Sequence, residues 1–211
     1  VKGFVNSLVF TALPYLYKQY GIPAPQAQVF SGVTRVPWAM KPIIGFTSDV
    51  FPISGYNKAP YMFMTAILGS LGLLYAGIFP MKAVPAGILV ICLFVGSLQQ
   101  STCDLLSEAK YAEKIRECPT KGPNILTYVW FGLQLFGLLA TLISGPLLHY
   151  HGPKLAIAIG GGLTLIVIFP VLFGCLEEKK LVGEELQANR DVHFKQKEVC
   201  FLCMLMFCCS I

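Results

Sequence analysis

The chain has 211 residues, 55% of them apolar, with 16 basic and 11 acidic side chains, so that charged residues make up 13% where a soluble domain carries about 25%. A water-soluble globule of this size could not cover its surface, and eighteen of the charges fall in two short stretches, 108–121 and 177–198, which leaves long tracts with none. That distribution places the chain in lipid and excludes a soluble enzyme, a disordered tail and a small disulfide scaffold.

Taken in order, the chain opens on Val1 rather than Met, and the apolar run 3–17 reads as a first span that is cut short. A more polar candidate, 24–48, contains Arg35 and Lys41. Four charge-free segments follow, 61–81, 83–103, 122–148 and 155–176, each long enough as a helix to cross a hydrocarbon core of about 30 Å. The charged stretch 177–198 predicts a cytoplasmic central loop, and the apolar run 199–211 the truncated start of a seventh span. The expected fold is therefore an all-α membrane protein: a six-span bundle over 1–176, a long loop, and the beginning of a second half, as in transporters built from two six-helix halves. A membrane β-barrel is excluded, because its strands would read as alternating segments of about ten residues. Gly69, Gly72, Gly77 and the triplet Gly160 to Gly162 lie inside the apolar runs and read as close helix packing.

Basic residues set the expected orientation. Lys58, then Lys110, Lys114, Arg116 and Lys121, then Lys179, Lys180, Arg190, Lys195 and Lys197 follow the second, fourth and sixth spans, against Lys18, Lys82 and Lys154 after the others. This imbalance puts the even connections and the N-terminus in the cytoplasm.

Chemistry is expected on two spans. The second carries Arg35, Pro37, Trp38, Lys41 and Pro42, and charges at membrane depth mark substrate or ion pathways by default. In a continuous helix Arg35 and Lys41 stand about 120° apart with Trp38 between them, presenting two cations and an indole to an interior cavity. Pro37 and Pro42 leave the carbonyls of Val33 and Trp38 without helical partners, which is tolerated at depth only beside protein or a watery cavity. On the fourth span Gln100, Asp104 and Glu108 follow i, i+4, i+8 and form one polar stripe. Counting about 1.5 Å per residue places Lys41 and Asp104 at nearly the same depth, so Asp104, or Glu108 behind it, is expected to balance Lys41. The connection after the second span holds Gly45, Asp49, Gly55 and Lys58. A carboxylate, a tight turn and a cation at the mouth of a moving bundle can make contacts that exist in one conformation only, so these residues, with Pro37 and Pro42, are the expected gate.

No cofactor or metal is expected. Cys200, Cys203, Cys208 and Cys209 have a suggestive spacing but sit in an apolar helix where thiols pack as small hydrophobes, and His149 and His151 have no carboxylate nearby. A seven-helix receptor would need an external N-terminus, against the basic-residue count. An intramembrane enzyme would need a nucleophile with its base or a metal cluster at one depth.

The stretch PWAMKPIIGFTSDVFPISGYNKAPY, 37–61, resembles the central signature of the folate-biopterin transporter family, a branch of the major facilitator superfamily. LPYLYKQYGIPAPQAQ, 13–28, is similar to that family's first extracellular turn and DLLSEAKYAE, 104–113, to the end of its fourth span. The resemblance implies a twelve-span carrier of folate, biopterin or related pteridines, working by alternating access; the plasma membrane is the expected location, and Asp104 or Glu108 offers a proton-coupling step. Folate carboxylates would then meet Arg35 and Lys41, and the flat pteridine would stack on Trp38. Two other readings stand beside it: a carrier of another organic ion on the same scaffold, and a half-carrier without activity of its own.

Overall fold

The computed structural model describes residues 1–174. Within them the chain forms α1 (Lys2–Gln19), α2 (Ala24–Ala39), α3 (Lys41–Val50), α4 (Ala59–Ile78), α5 (Ala86–Glu117), α6 (Gly122–His151), α7 (Pro153–Thr164) and α8 (Ile168–Leu172), with 3-10 turns at Pro119–Lys121 and Leu165–Val167. Among the described residues there is no sheet, and extended pairing is limited to one isolated bridge between Ile53 and Tyr56. The fold is all-helical, as expected. The loop 177–198 and the run 199–211 lie outside the described residues, as does the end of the segment read as 155–176.

Proline sets where many of these helices begin. Pro25, Pro42, Pro60, Pro123 and Pro153 each occupy the first turn of α2, α3, α4, α6 and α7, where the missing N–H would have no helical acceptor anyway and the fixed φ suits the helix. The same residue type corrects the second expected span. Residues 24–48 are not one continuous helix: α2 ends at Ala39 and α3 begins at Lys41, with Met40 at φ −77°, ψ 0° between them. Pro42 cannot donate to the Trp38 carbonyl, so the column bends there, while Met40 N–H to Val36 O and Ile44 N–H to Met40 O, both 3.0 Å, carry the chain across the bend. Pro37, by contrast, sits inside α2 without ending it.

Two further boundaries differ from expectation. The fourth span runs well past its charge-free stretch, 83–103, and past 104–113 to end as α5 at Glu117, 32 residues in all, or about 48 Å. Its last turns are held by the i, i+3 pairs Lys110–Glu113 and Lys114–Glu117, at 2.9 and 3.1 Å, before Cys118 and Pro119 end the helix. The sixth is interrupted by the 3-10 turn Leu165–Val167 ahead of α8, where Pro170 lacks the N–H that would bond back to Ile166. Four helical segments are long and apolar enough to cross a membrane: Ala59–Ile78, Ala86–Glu117, Pro119–His151 and Pro153–Leu172. The α1 and α2 helices, with 18 and 16 residues, do not meet that measure, so length and composition establish four spans where the sequence suggests six.

Packing follows from the glycines and small residues. Helix α4 lies against α5 and α7, α1 against α6 and α7, and α2 against α5, around a core that includes Leu8, Leu16, Leu73, Leu89 and Ile157. Helices α4 and α7 approach closely: a Cβ on Gly77 would stand 2.5 Å from the backbone nitrogen of Ala158, so two helix backbones touch there with no room for a side chain. The outward face of α6 carries Trp130, Phe131, Phe136, Leu138 and Leu142, all exposed, an apolar surface that suits hydrocarbon rather than water. Gly77→Val is expected to lower stability by about 1–3 kcal/mol through overpacking. Gly162→Ala, which points into open space, is expected to hold or raise it; thermal unfolding of the two variants in detergent checks the difference.

Candidate functional site

The site grows from one carboxylate. Asp104, in the middle of α5, is 4% exposed, and a carboxylate at that burial needs charged partners to stay ionised without a large desolvation cost. The bend in the second column supplies one. By starting α3 at Lys41 it brings Lys41 Nζ to 2.6 Å from Asp104 Oδ2, in the same layer as residue counting places them. A second partner comes from the start of α1, where the Lys2 ammonium donates to Asp104 Oδ1. One turn further along α5, Glu108 Oε2 lies 3.8 Å from Lys41 Nζ with its side chain 36% exposed. The four charges balance, and they tie α1, α3 and α5 together.

Lys41 also sits 5.0 Å from the centre of the Trp38 ring, close enough for cation–π attraction. Trp38 is the link to a cavity of about 150 Å³, lined on its polar side by Asn6, Ser31, Thr34, Arg35, Ser97 and Gln100 and on its aromatic side by Phe10 and Trp38. The Arg35 guanidinium stands 4.7 Å from the Phe10 ring centre, and among the described residues no carboxylate pairs with it. Arg35 also borders a wider cleft of about 870 Å³ between α1 and α2, where Tyr17, Gln28 and Ser31 line the wall. A guanidinium open to a cavity is a planar fork of donors suited to a carboxylate, and the aromatic rings beside it offer faces for a flat heterocycle.

The expected site residues thus divide into two contiguous layers. Arg35, Trp38 and Gln100 share the cavity, and Lys41, Asp104 and Glu108 form the charge layer next to it. Sequence reasoning missed Lys2, Asn6 and Phe10. The first span reads as apolar from residue 3 onward, and Lys2, a single charge beside that run, has no pattern of its own in the sequence.

The expected gate residues occupy the connection after α3. Gly45 faces Leu105 of α5, where a Cβ would lie 3.3 Å from Leu105 Cδ2. Asp49 is half-buried in the last turn of α3. Gly55 takes φ +84°, a backbone conformation that favours glycine, in a tight turn closed by two 3.0 Å backbone hydrogen bonds between Ile53 and Tyr56. Tyr61 Oη donates to the Phe51 carbonyl at 2.7 Å and braces the same turn. The cation Lys58, 9% exposed, pairs with Glu113 near the end of α5, and Glu113 also accepts from Lys110 at 2.9 Å. Sequence reasoning did not anticipate Glu113 as a partner of Lys58, because it followed the polar stripe of the fourth span only to Glu108. Cys92, Cys103 and Cys118 are free thiols.

These features meet a matching family. The sequence matches the BT1 family over residues 2–211. The chain belongs to the BT1 family of folate-biopterin transporters. It is 30% identical over 192 residues to "Probable folate-biopterin transporter 4" of Arabidopsis thaliana, which covers 90% of this chain and 37% of that protein. To "Probable folate-biopterin transporter 6" of the same plant it is 27% identical over 159 residues, covering 75% and 31%. To "Folate transporter 2" of Plasmodium falciparum it is 26% identical over 190 residues, covering 89% and 40%. The chain spans about a third of the length of the curated relatives it matches. No solved structure matches it. A BT1-family chain with these spans is a multi-pass integral membrane protein of a transporter family, not an enzyme.

The charge layer makes a stability prediction. Asp104→Ala leaves two ammonium groups at a largely buried site without their shared carboxylate and is expected to cost about 3–5 kcal/mol. Glu108→Ala removes only a long, partly exposed contact and is expected to cost under about 1 kcal/mol. Thermal unfolding of the two variants measures the contrast.

Proposed function

We propose that the chain is the N-terminal half of a membrane carrier for folate, biopterin or a related pteridine, working by alternating access, with the transport path running between α1, α2, α3 and α5. The observation that supports this most is the cavity in which a guanidinium without a carboxylate partner among the described residues, two aromatic rings and the amide of Gln100 converge, next to a lysine already shared between two carboxylates. In this reading α1 and the bent α2–α3 column also span the membrane, giving six spans with a cytoplasmic N-terminus, the plasma membrane is the site of action, and a second half completes the path.

In the mechanism we assign, the substrate's carboxylates engage Arg35 and draw Lys41 away from Asp104 and Glu108, while the pteridine lies against Trp38. Protons are the coupling ion in this scheme. Glu108 makes a single long contact and is partly exposed, whereas Asp104 is held by two ammonium groups. Pro37, Pro42 and Gly45 bend or pack the column that carries Lys41, and Asp49, Gly55 and Lys58 form the turn whose contact with Glu113 closes one face of the bundle.

The test is uptake of labelled folate and of biopterin by the complete protein in proteoliposomes across an imposed pH gradient. Saturable uptake of at least one of the two, accelerated by the proton gradient, is expected. Lys41→Ala is expected to reduce it by about tenfold or more, the loss of one charge-assisted hydrogen bond; unchanged uptake in that variant would make Lys41 structural only.

A further inference from the structure

A second, smaller cavity lies behind Asp104, on the side away from Trp38. It measures about 100 Å³, among α1, α4, α5 and the segment after α7, and Lys2, Gln99, Gln100, Asp104, Ser107 and Thr164 supply its polar lining. Gln99 is 2% exposed, and its Oε1 has no hydrogen-bond partner among the described residues, although Nε2 lies 3.5 Å from Cys103 Sγ. The rest of its wall is apolar, from Val1, Val5, Met62 and Val167, so the Lys2 ammonium and the Asp104 carboxylate meet where few other polar groups compete for either.

The two cavities adjoin along α5. Gln100 lines both; Arg35 and Trp38 line the first, and Lys2 lines the second. Asp104 is therefore reached from two sides, by Lys41 from beside Trp38 and by Lys2 from the small cavity. That arrangement has a consequence for exchange. If Lys41 were the sole partner of Asp104, a substrate carboxylate could take it only by leaving a buried carboxylate uncompensated. With a second ammonium on the other oxygen, Lys41 can leave while Asp104 keeps its charge partner.

Resting on the carrier reading above, we propose that Lys2 is a positioning residue for substrate exchange: from the small cavity behind Asp104 it holds the carboxylate and so releases Lys41 to the substrate. Lys2 touches no substrate in this scheme. Its effect runs through how tightly Asp104 retains Lys41, and so it acts on apparent affinity rather than on turnover.

The complete protein carries the test in two parts. Folate uptake kinetics in proteoliposomes are compared for the wild type, Lys2→Gln and Lys2→Arg. Lys2→Gln is expected to raise KM about tenfold with kcat within about twofold, one charge-assisted hydrogen bond redirected to Lys41, and Lys2→Arg to keep the wild-type KM. Thermal unfolding is measured in parallel for Lys2→Gln, Lys41→Gln and the double variant. Each single variant leaves Asp104 one cation, so the drop in Tm of the double variant is expected to exceed the sum of the single drops. An unchanged KM in Lys2→Gln, or additive drops in Tm, overturns the proposal. Absence of saturable folate uptake in the wild type would instead overturn the carrier reading, and the unfolding cycle would still decide whether the two lysines share the carboxylate.

Discussion

A carboxylate buried among apolar helices is the constraint on which the rest of this structure depends. Asp104 follows the polar turn Gln99 to Thr102 in α5 and is 4% exposed, so it cannot shed its charge cost to water. It is compensated by two ammonium groups from α1 and α3. This explains why the second column bends where it does. Pro42 interrupts the hydrogen-bond ladder at the turn that brings Lys41 to Asp104, so the kink and the ion pair are two aspects of one local arrangement.

Helix α5 is the strut that organises function along its length. Gln100 borders both cavities, Asp104 takes the two lysines, Glu108 waits one turn beyond, and Glu113 receives Lys58 from the turn after α3. Cavity, charge layer and turn therefore share one rigid element, and a shift of α1 or of the α2–α3 column relative to α5 must remake several ion pairs together. Such coupled, discrete contacts are what a two-state carrier needs, since packed helices are bistable rather than continuously deformable.

Much of this was legible in the sequence, and the reasons are physical. Apolar runs of twenty residues between charge clusters admit almost no fold other than a helical membrane bundle, and membrane depth is a linear count, so the layer shared by Lys41 and Asp104 could be read without a structure. Geometry that depends on partners was not legible. The split at Met40 depends on how the chain relaxes around Pro42, and Pro37, equally prominent in the sequence, leaves α2 intact. The reach of α5 to Glu117 depends on its i, i+3 ion pairs sustaining a helix past the apolar stretch. Lys2 escaped notice because a single charge beside an apolar run has no pattern until another helix supplies its carboxylate.

The central claim is that a substrate carboxylate competes with Asp104 for Lys41 beside Trp38. Equilibrium binding of folate to the purified complete protein, compared between the wild type and Lys41→Gln, tests it most directly. The account predicts an affinity at least about tenfold weaker in the variant, the worth of one charge-assisted hydrogen bond. Equal affinities would contradict it.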